Sequence, residues 1–155
     1  MTDEKPPRLA GDERATLTAL LTYQRGSLLK KLDGIDDRQA SASPVPSGTS
    51  LLWLANHMAD AESTWVLQRF AGRAGATHGD QHAATIDRAV HRYRVVCAEV
   101  DAIVASSSLD ELCHATDGQQ PVDLRWILGH LLEETARHAG HADIIRELID
   151  GSVGR

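Results

Sequence analysis

Leu131-Leu132-Glu133-Glu134-Thr135-Ala136-Arg137-His138-Ala139-Gly140-His141 reads as one helix whose apolar seam is interrupted by ionisable side chains. Around it Ile127, Leu131, Ile145 and Leu148 follow alternating steps of four and three, the period of a core-facing stripe, and positions 134, 138 and 141 continue the same line. Burying a carboxylate and two imidazoles without partners costs several kcal/mol. A chain that keeps them inside therefore pairs them or gives them a cation to hold. A divalent metal does both.

Outward from this stretch the sequence divides into four long helical segments. Asp123 is placed to cap the last, which reaches about Ile149 before Gly151. A first helix is expected from about Asp12 to Leu32, ending at Gly34, after a mobile lead-in of ten residues that contains Pro6 and Pro7. Pro44 and Pro46 forbid a regular helix between Ser41 and Gly48. Thr49 or Ser50 then caps a second helix from Leu51 to about Phe70, stopped by Gly72 and Gly75. After a Gly/Ala linker over residues 72 to 81, a third helix from about Ala83 to Ala105 lines up Ile86, Val90, Tyr93, Cys97, Val100 and Val104. No stretch alternates as a strand does. The expected architecture is a single all-α domain over residues 1–155, a four-helix bundle with two long connections.

At 155 residues the chain is long enough for one core without disulfide staples. Charged residues make up 25% and hydrophobic residues 42%, and no apolar run approaches the length of a membrane span. A soluble cytoplasmic protein is expected. The formal charge of −6, with basic residues scattered instead of clustered, argues against nucleic acid as a partner. Cys97 and Cys113 lack metal-binding or secreted-disulfide spacing and are expected as reduced thiols. Eight histidines are the one compositional excess.

At about 100° per residue, Glu134, His138 and His141 lie within roughly 60° of one another on a helix, with His130 one turn earlier on the same side. A ligand from a neighbouring helix is needed to close a metal site, and His57, in Leu54-Ala55-Asn56-His57-Met58-Ala59-Asp60-Ala61-Glu62, is the obvious donor. Two nitrogens and one carboxylate oxygen suit Zn²⁺ first, with Ni²⁺, Mn²⁺ or Fe²⁺ as alternatives. Three protein ligands leave positions open for water or substrate. The competing reading is a hydrogen-bonded polar core, with Glu134 paired to Arg137 or Arg25.

Two stretches, Ser50 to Trp65 and Leu124 to Asp143, resemble the DinB-like four-helix superfamily, specifically its actinobacterial branch of uncharacterised proteins related to the N-terminal domain of mycothiol-dependent maleylpyruvate isomerase. The resemblance implies a divalent metal held by His57, Glu134 and His138. His141 and His130 then stand beside the ligands, orienting them, or serve as auxiliary ligands. Relatives more commonly carry a His/His pair where this chain has Glu134 and His138. The resemblance further implies a small-molecule thiol such as mycothiol as cosubstrate and an electrophile as its partner, in S-transfer or thiol-assisted isomerisation. The additional C-terminal domain of the isomerase has no counterpart in these residues, so that exact reaction is not expected. The rival expectation is a non-catalytic metal- or ligand-binding bundle, stress-related in role. A homodimer formed through exposed helix faces fits either reading.

Arg125 and Trp126, at the start of the last helix, are the candidates for contact with the thiol cosubstrate. Trp53, Trp65 and Trp126 are candidates to line a substrate cavity, but tryptophans at helical spacing are more often core, and the core is where they are expected. His78, His82, His91 and His114 are assigned no role, and Cys113 with His114 is not expected to act as a catalytic pair. Asp60, Glu62, Glu133 and Arg137 are expected on a solvated or inter-helix charged face.

Overall fold

A computed structural model of the chain describes residues 5–74 and 82–153. The expected Gly75 stop and His78 lie outside them. Helix α1 runs Glu13–Leu32, α2 Asp37–Ser41, α3 Leu51–Glu62, α4 Ile86–Ser106 and α5 Leu124–Asp150. The last turns of the second long helix, Ser63–Phe70, are π-helical and continue α3. Among the described residues there is no strand, only an isolated antiparallel bridge between Leu112 and Asp123. The all-α bundle is therefore as the sequence implied.

The helix starts follow from local chemistry. The side chains of Asp12, Ser50 and Asp123 each accept a backbone N–H from the first turn, from Ala15, Trp53 and Trp126. Such caps satisfy donors that no helical carbonyl can reach. Two features depart from expectation. The short α2 forms because Asp36 and Gln39 make a reciprocal capping box. Helix α4 starts at Ile86 instead of Ala83, since Asn56 of α3 holds Ala83 outside the helix with two hydrogen bonds, 2.9 and 3.0 Å. The Ile86 N–H is capped from afar by Asp37, at 2.7 Å.

Helix α1 packs chiefly on α5 and α3 on α4, while α3 also lies along α5. Two apolar clusters fill the bundle, one around Leu28, Leu54, Met58 and Tyr93, the other around Leu21, Val66, Phe70 and Leu128. The buried line of α5 passes through Ile127, Leu131, Thr135, His138, Ala142 and Ile145. That line is rotated from the expected seam. Glu134 is half-buried and His141 exposed, and Leu148, expected in the core, is 58% exposed.

Between the two apolar clusters sits an ion pair. Glu62 is fully buried, and Arg25 of α1 donates Nε–H to its Oε1 at 2.6 Å and Nη2–H to its Oε2 at 2.5 Å. A third bond runs from Arg25 Nη1 to Asp101 of α4, at 2.7 Å. Burial alone would pull the guanidinium down, but the bonds and charge of Glu62, aided by Asp101, hold it above its ordinary range. Burial pushes the Cys97 thiol beside this pair well up, so it is no ready thiolate. Of the remaining residues expected on a charged face, Glu133 pairs with Arg137 on the surface and Asp60 with Arg92 and His82.

Candidate metal centre

Helices α3 and α5 bring His57, Glu134 and His138 together although His57 and Glu134 are 77 positions apart. The same oxygen, Glu134 Oε1, lies 3.1 Å from His57 Nε2 and 3.1 Å from His138 Nε2. One donor atom from each residue lies within 4.8 Å of the other two. A tetrahedral ion with bonds of about 2.1 Å separates its ligand atoms by about 3.4 Å, so the donor set fits one divalent cation.

The surroundings fix the rings. Trp53 stacks on His57 with centroids 4.6 Å apart and planes 8° from parallel. His57 meets His138 edge to face at 4.7 Å. On the far side of His138, its Nδ1 lies 3.2 Å from Nδ1 of His141, so one ring donates to the other. The alternative partners weighed for Glu134 are engaged elsewhere: Arg137 with Glu133, Arg25 with Glu62 and Asp101. The site is open on one side, since the His57 side chain keeps 31% of its surface.

Electrostatics follow from this packing. Desolvation would raise the Glu134 carboxyl, but hydrogen bonds and charge from His57 and His138 outweigh it and hold Glu134 below the ordinary carboxylate range. Desolvation lowers His138, His57 adds to that, and Glu134 only partly opposes them. Both groups therefore bind protons less readily in the folded protein than in the unfolded chain. Their stabilisation is complete above the unfolded values, about 6.5 for histidine and about 4.5 for the carboxyl, and is lost as pH falls through the lower folded values. For the metal-free protein, urea midpoints are expected to fall from pH 7 to pH 4, with a smaller fall in His138→Gln. A variant as acid-sensitive as the wild type would remove His138 as a source of that dependence.

The sequence model of the family described as Mycothiol-S-transferase matches residues 16–151. The chain belongs to that family. Among curated proteins none matches it. Among solved structures it is similar to a conserved protein from Enterococcus faecalis, at 17% identity and a TM-score of 0.65, over 92% of this chain and 100% of that one. That likeness concerns the fold alone.

In this member of the mycothiol S-transferase family the other expected site residues separate into two groups. His141 touches the triad through His138, whereas His130 turns away from it, stacking on Trp126 at 5.1 Å and meeting Trp65 edge-on at 4.8 Å. Arg125 is engaged by carboxylates: Nε–H bonds Glu13 at 2.6 Å and Nη1–H bonds Asp110 at 2.7 Å. Two of the tryptophans correct the core expectation, since Trp53 is 44% and Trp126 47% exposed, whereas Trp65 is half-buried against the apolar cluster around Val66, Phe70 and Leu128. A cleft of about 560 Å³ between α1 and α5, lined by Tyr23, Lys31 and Asp143 among others, contains none of the triad. Cys113 and His114 are held by backbone bonds to Val122 and Arg69 and take no part in the triad. Sequence reasoning weighed Trp53 as a cavity-lining or core residue and missed its stacking on His57; its spacing of four residues on the same helix was the available signal. No helix among the described residues is long and apolar enough to cross a membrane.

Proposed function

We propose that this family member transfers a low-molecular-weight thiol of the mycothiol type onto an electrophile at a divalent ion held by His57, Glu134 and His138. The observation that carries this is the convergence of three donor atoms from two helices at a site left partly open to solvent on the His57 side. Two imidazoles and one carboxylate suit a borderline cation such as Zn²⁺ and leave room for a further ligand. When bound, such an ion supplies Lewis acidity that lowers the pKa of a thiol and makes the thiolate available at neutral pH.

The chain's own contribution is positioning. The stacked Trp53 holds the plane of His57, and His141, by hydrogen bonding to His138 Nδ1, leaves Nε2 of His138 to face the site. Glu134 stays ionised because its neighbours hold it so, and its charge offsets that of a cation. In net chemistry, one S–H bond and one carbon to leaving-group bond break; one S–C bond forms, and the leaving group departs with its electron pair while the thiol proton passes to solvent.

The test is conjugation of mycothiol to a chromogenic haloarene by protein loaded with Zn²⁺, Ni²⁺ or Mn²⁺. Turnover reduced by about 100-fold or more in His57→Ala is expected, since loss even of an outer-shell partner typically costs about 10–100-fold. Absence of thiol binding by the loaded protein would overturn the reading in favour of a non-catalytic metal-binding bundle.

A further inference from the structure

Both ring nitrogens of His138 are bonded within the protein, and to partners of different kinds. Nε2 lies 3.1 Å from Glu134 Oε1, and Nδ1 lies 3.2 Å from Nδ1 of His141. Aromatic neighbours close in on the ring as well, His57 edge to face at 4.7 Å and Trp53 at 6.1 Å. The side chain is only 11% exposed, so water has little access to replace a missing partner. A ring nitrogen left unsatisfied there carries the cost of its lost hydration.

In the absence of an ion, Glu134 fixes where the protons sit. Its Oε1 lies equally close to Nε2 of His57 and Nε2 of His138, and a carboxylate has only lone pairs to offer, so both nitrogens donate. Desolvation, with His57 beside it, keeps His138 from holding a second proton at neutral pH. Nδ1 of His138 is then bare, and the 3.2 Å contact is a hydrogen bond donated by Nδ1–H of His141. A cation on Nε2 of His138 needs the lone pair of that nitrogen, which leaves the single proton of the neutral ring on Nδ1. The same contact is then donated by His138 and accepted by His141, whose own proton passes to its Nε2. His141 is exposed, and among the described residues only its Nδ1 is hydrogen-bonded, so Nε2 can take that proton from water. Each ring holds one proton before and after, and the charge of the pair does not change.

We propose that His141 is a reversible hydrogen-bond partner for His138, donating to its Nδ1 when no ion is bound and accepting from it when a divalent ion occupies Nε2. The reversal rests on the metal reading of His57, Glu134 and His138 and is independent of thiol transfer. Through it an ion can enter or leave without stranding a buried nitrogen of His138 in either state. A side chain at 141 that can only donate, or only accept, would satisfy one state and not the other. His141 acts through His138 and is thus a positioning residue.

The test is long-range proton–nitrogen NMR of histidine-labelled protein at about pH 8, above the ordinary histidine range, with Zn²⁺ loaded and then removed by a chelator. A bare ring nitrogen resonates far downfield of a protonated one, so each tautomer is read directly. The two rings are assigned from the signals lost in His138→Gln and in His141→Asn. Loading is expected to move the His141 proton from Nδ1 to Nε2 and the His138 proton from Nε2 to Nδ1, and chelation to reverse both. Zinc affinity should fall about 10–100-fold in His141→Ala. In His141→Asn it should stay within a few-fold of wild type, because an amide can offer either its oxygen or its NH₂ at that place. Near-stoichiometric zinc with an unchanged His141 tautomer would overturn the reversal and leave the metal centre standing. Asparagine binding zinc as weakly as alanine, or zinc held by Nδ1 of His138, would overturn it too. No zinc retained by the wild type, read by mass spectrometry, would overturn the metal reading and the reversal with it.

Discussion

Glu62→Leu is expected to destabilise the protein by about 3–5 kcal/mol, because it strips the partner from a guanidinium that the bundle keeps out of water. Arg25 is 5% exposed, and two of its three hydrogen bonds go to Glu62. Asp101 lies at the surface and cannot compensate for a lost carboxylate inside. For a domain of this size the loss corresponds to a fall in Tm of order 10 °C. The double variant Arg25→Met/Glu62→Leu removes both charges and replaces them with apolar volume. It is expected to recover most of the loss, since a buried pair often adds little over a hydrophobic substitute. Urea midpoints for the two single variants and the double variant complete the cycle. A single Glu62→Leu variant as stable as wild type would show that Arg25 reaches water or another acceptor when its partner is gone.

The second large effect concerns the metal. Protein purified without a histidine tag is expected to carry close to one equivalent of a divalent metal, and His57→Ala and Glu134→Ala to carry none above background. These residues supply two of the three converging donors, one from each helix. His141→Ala is expected to keep the stoichiometry and to lose about 10–100-fold in affinity, the usual effect of removing a partner that orients a ligand. Metal at a hundred times its dissociation constant should stabilise the fold by about 2.7 kcal/mol, read as a raised melting point that a chelator reverses. Melting unaffected by loading and chelation would leave the chain from His57 through Glu134 and His138 to His141 as a polar network that satisfies itself without an ion.

How much of this was legible in the sequence depended on whether the deciding partner was near or far along the chain. The caps at Asp12, Ser50 and Asp123 act on residues three positions ahead, so the starts of α1, α3 and α5 could be read directly. The spacing of Glu134 and His138 is equally local, one helical turn, and it identified the face that meets His57. The pairing of Glu62 with Arg25 spans 37 positions and leaves no periodic trace. From the sequence Glu62 is expected on a charged face; only the fold buries it and supplies its counter-ion. The late start of α4 has the same origin, since Asn56 and Asp37 act on it from other elements. The tryptophans misled for a different reason. Hydrophobicity predicts burial on average, and Trp53 and Trp126 depart from it because they stack on the half-buried rings of His57 and His130 at the surface of the bundle instead of entering an apolar cluster. Leu148 departs because α5 runs on to Asp150 with Ile144 and Leu148 both facing outward.

The π-helical turns after Glu62 bear on how freely this chain can change in length. A stretch bonded i to i+5 holds more residues per turn than an α-helix, which is what a helix looks like after accommodating an insertion without breaking. Taking one residue out between Ser63 and Phe70 would let the segment tighten to α-helical pitch and preserve the helix, yet it would swing Trp65 around the axis and away from Trp126 and His130. Losing a residue from the largely exposed bend at Ser43 to Gly48 turns no side chain of α3 about its axis by that route. The two segments therefore differ: a change of length in the exposed bend leaves the helix register untouched, and one in the π-helical turns changes which side chains face α5.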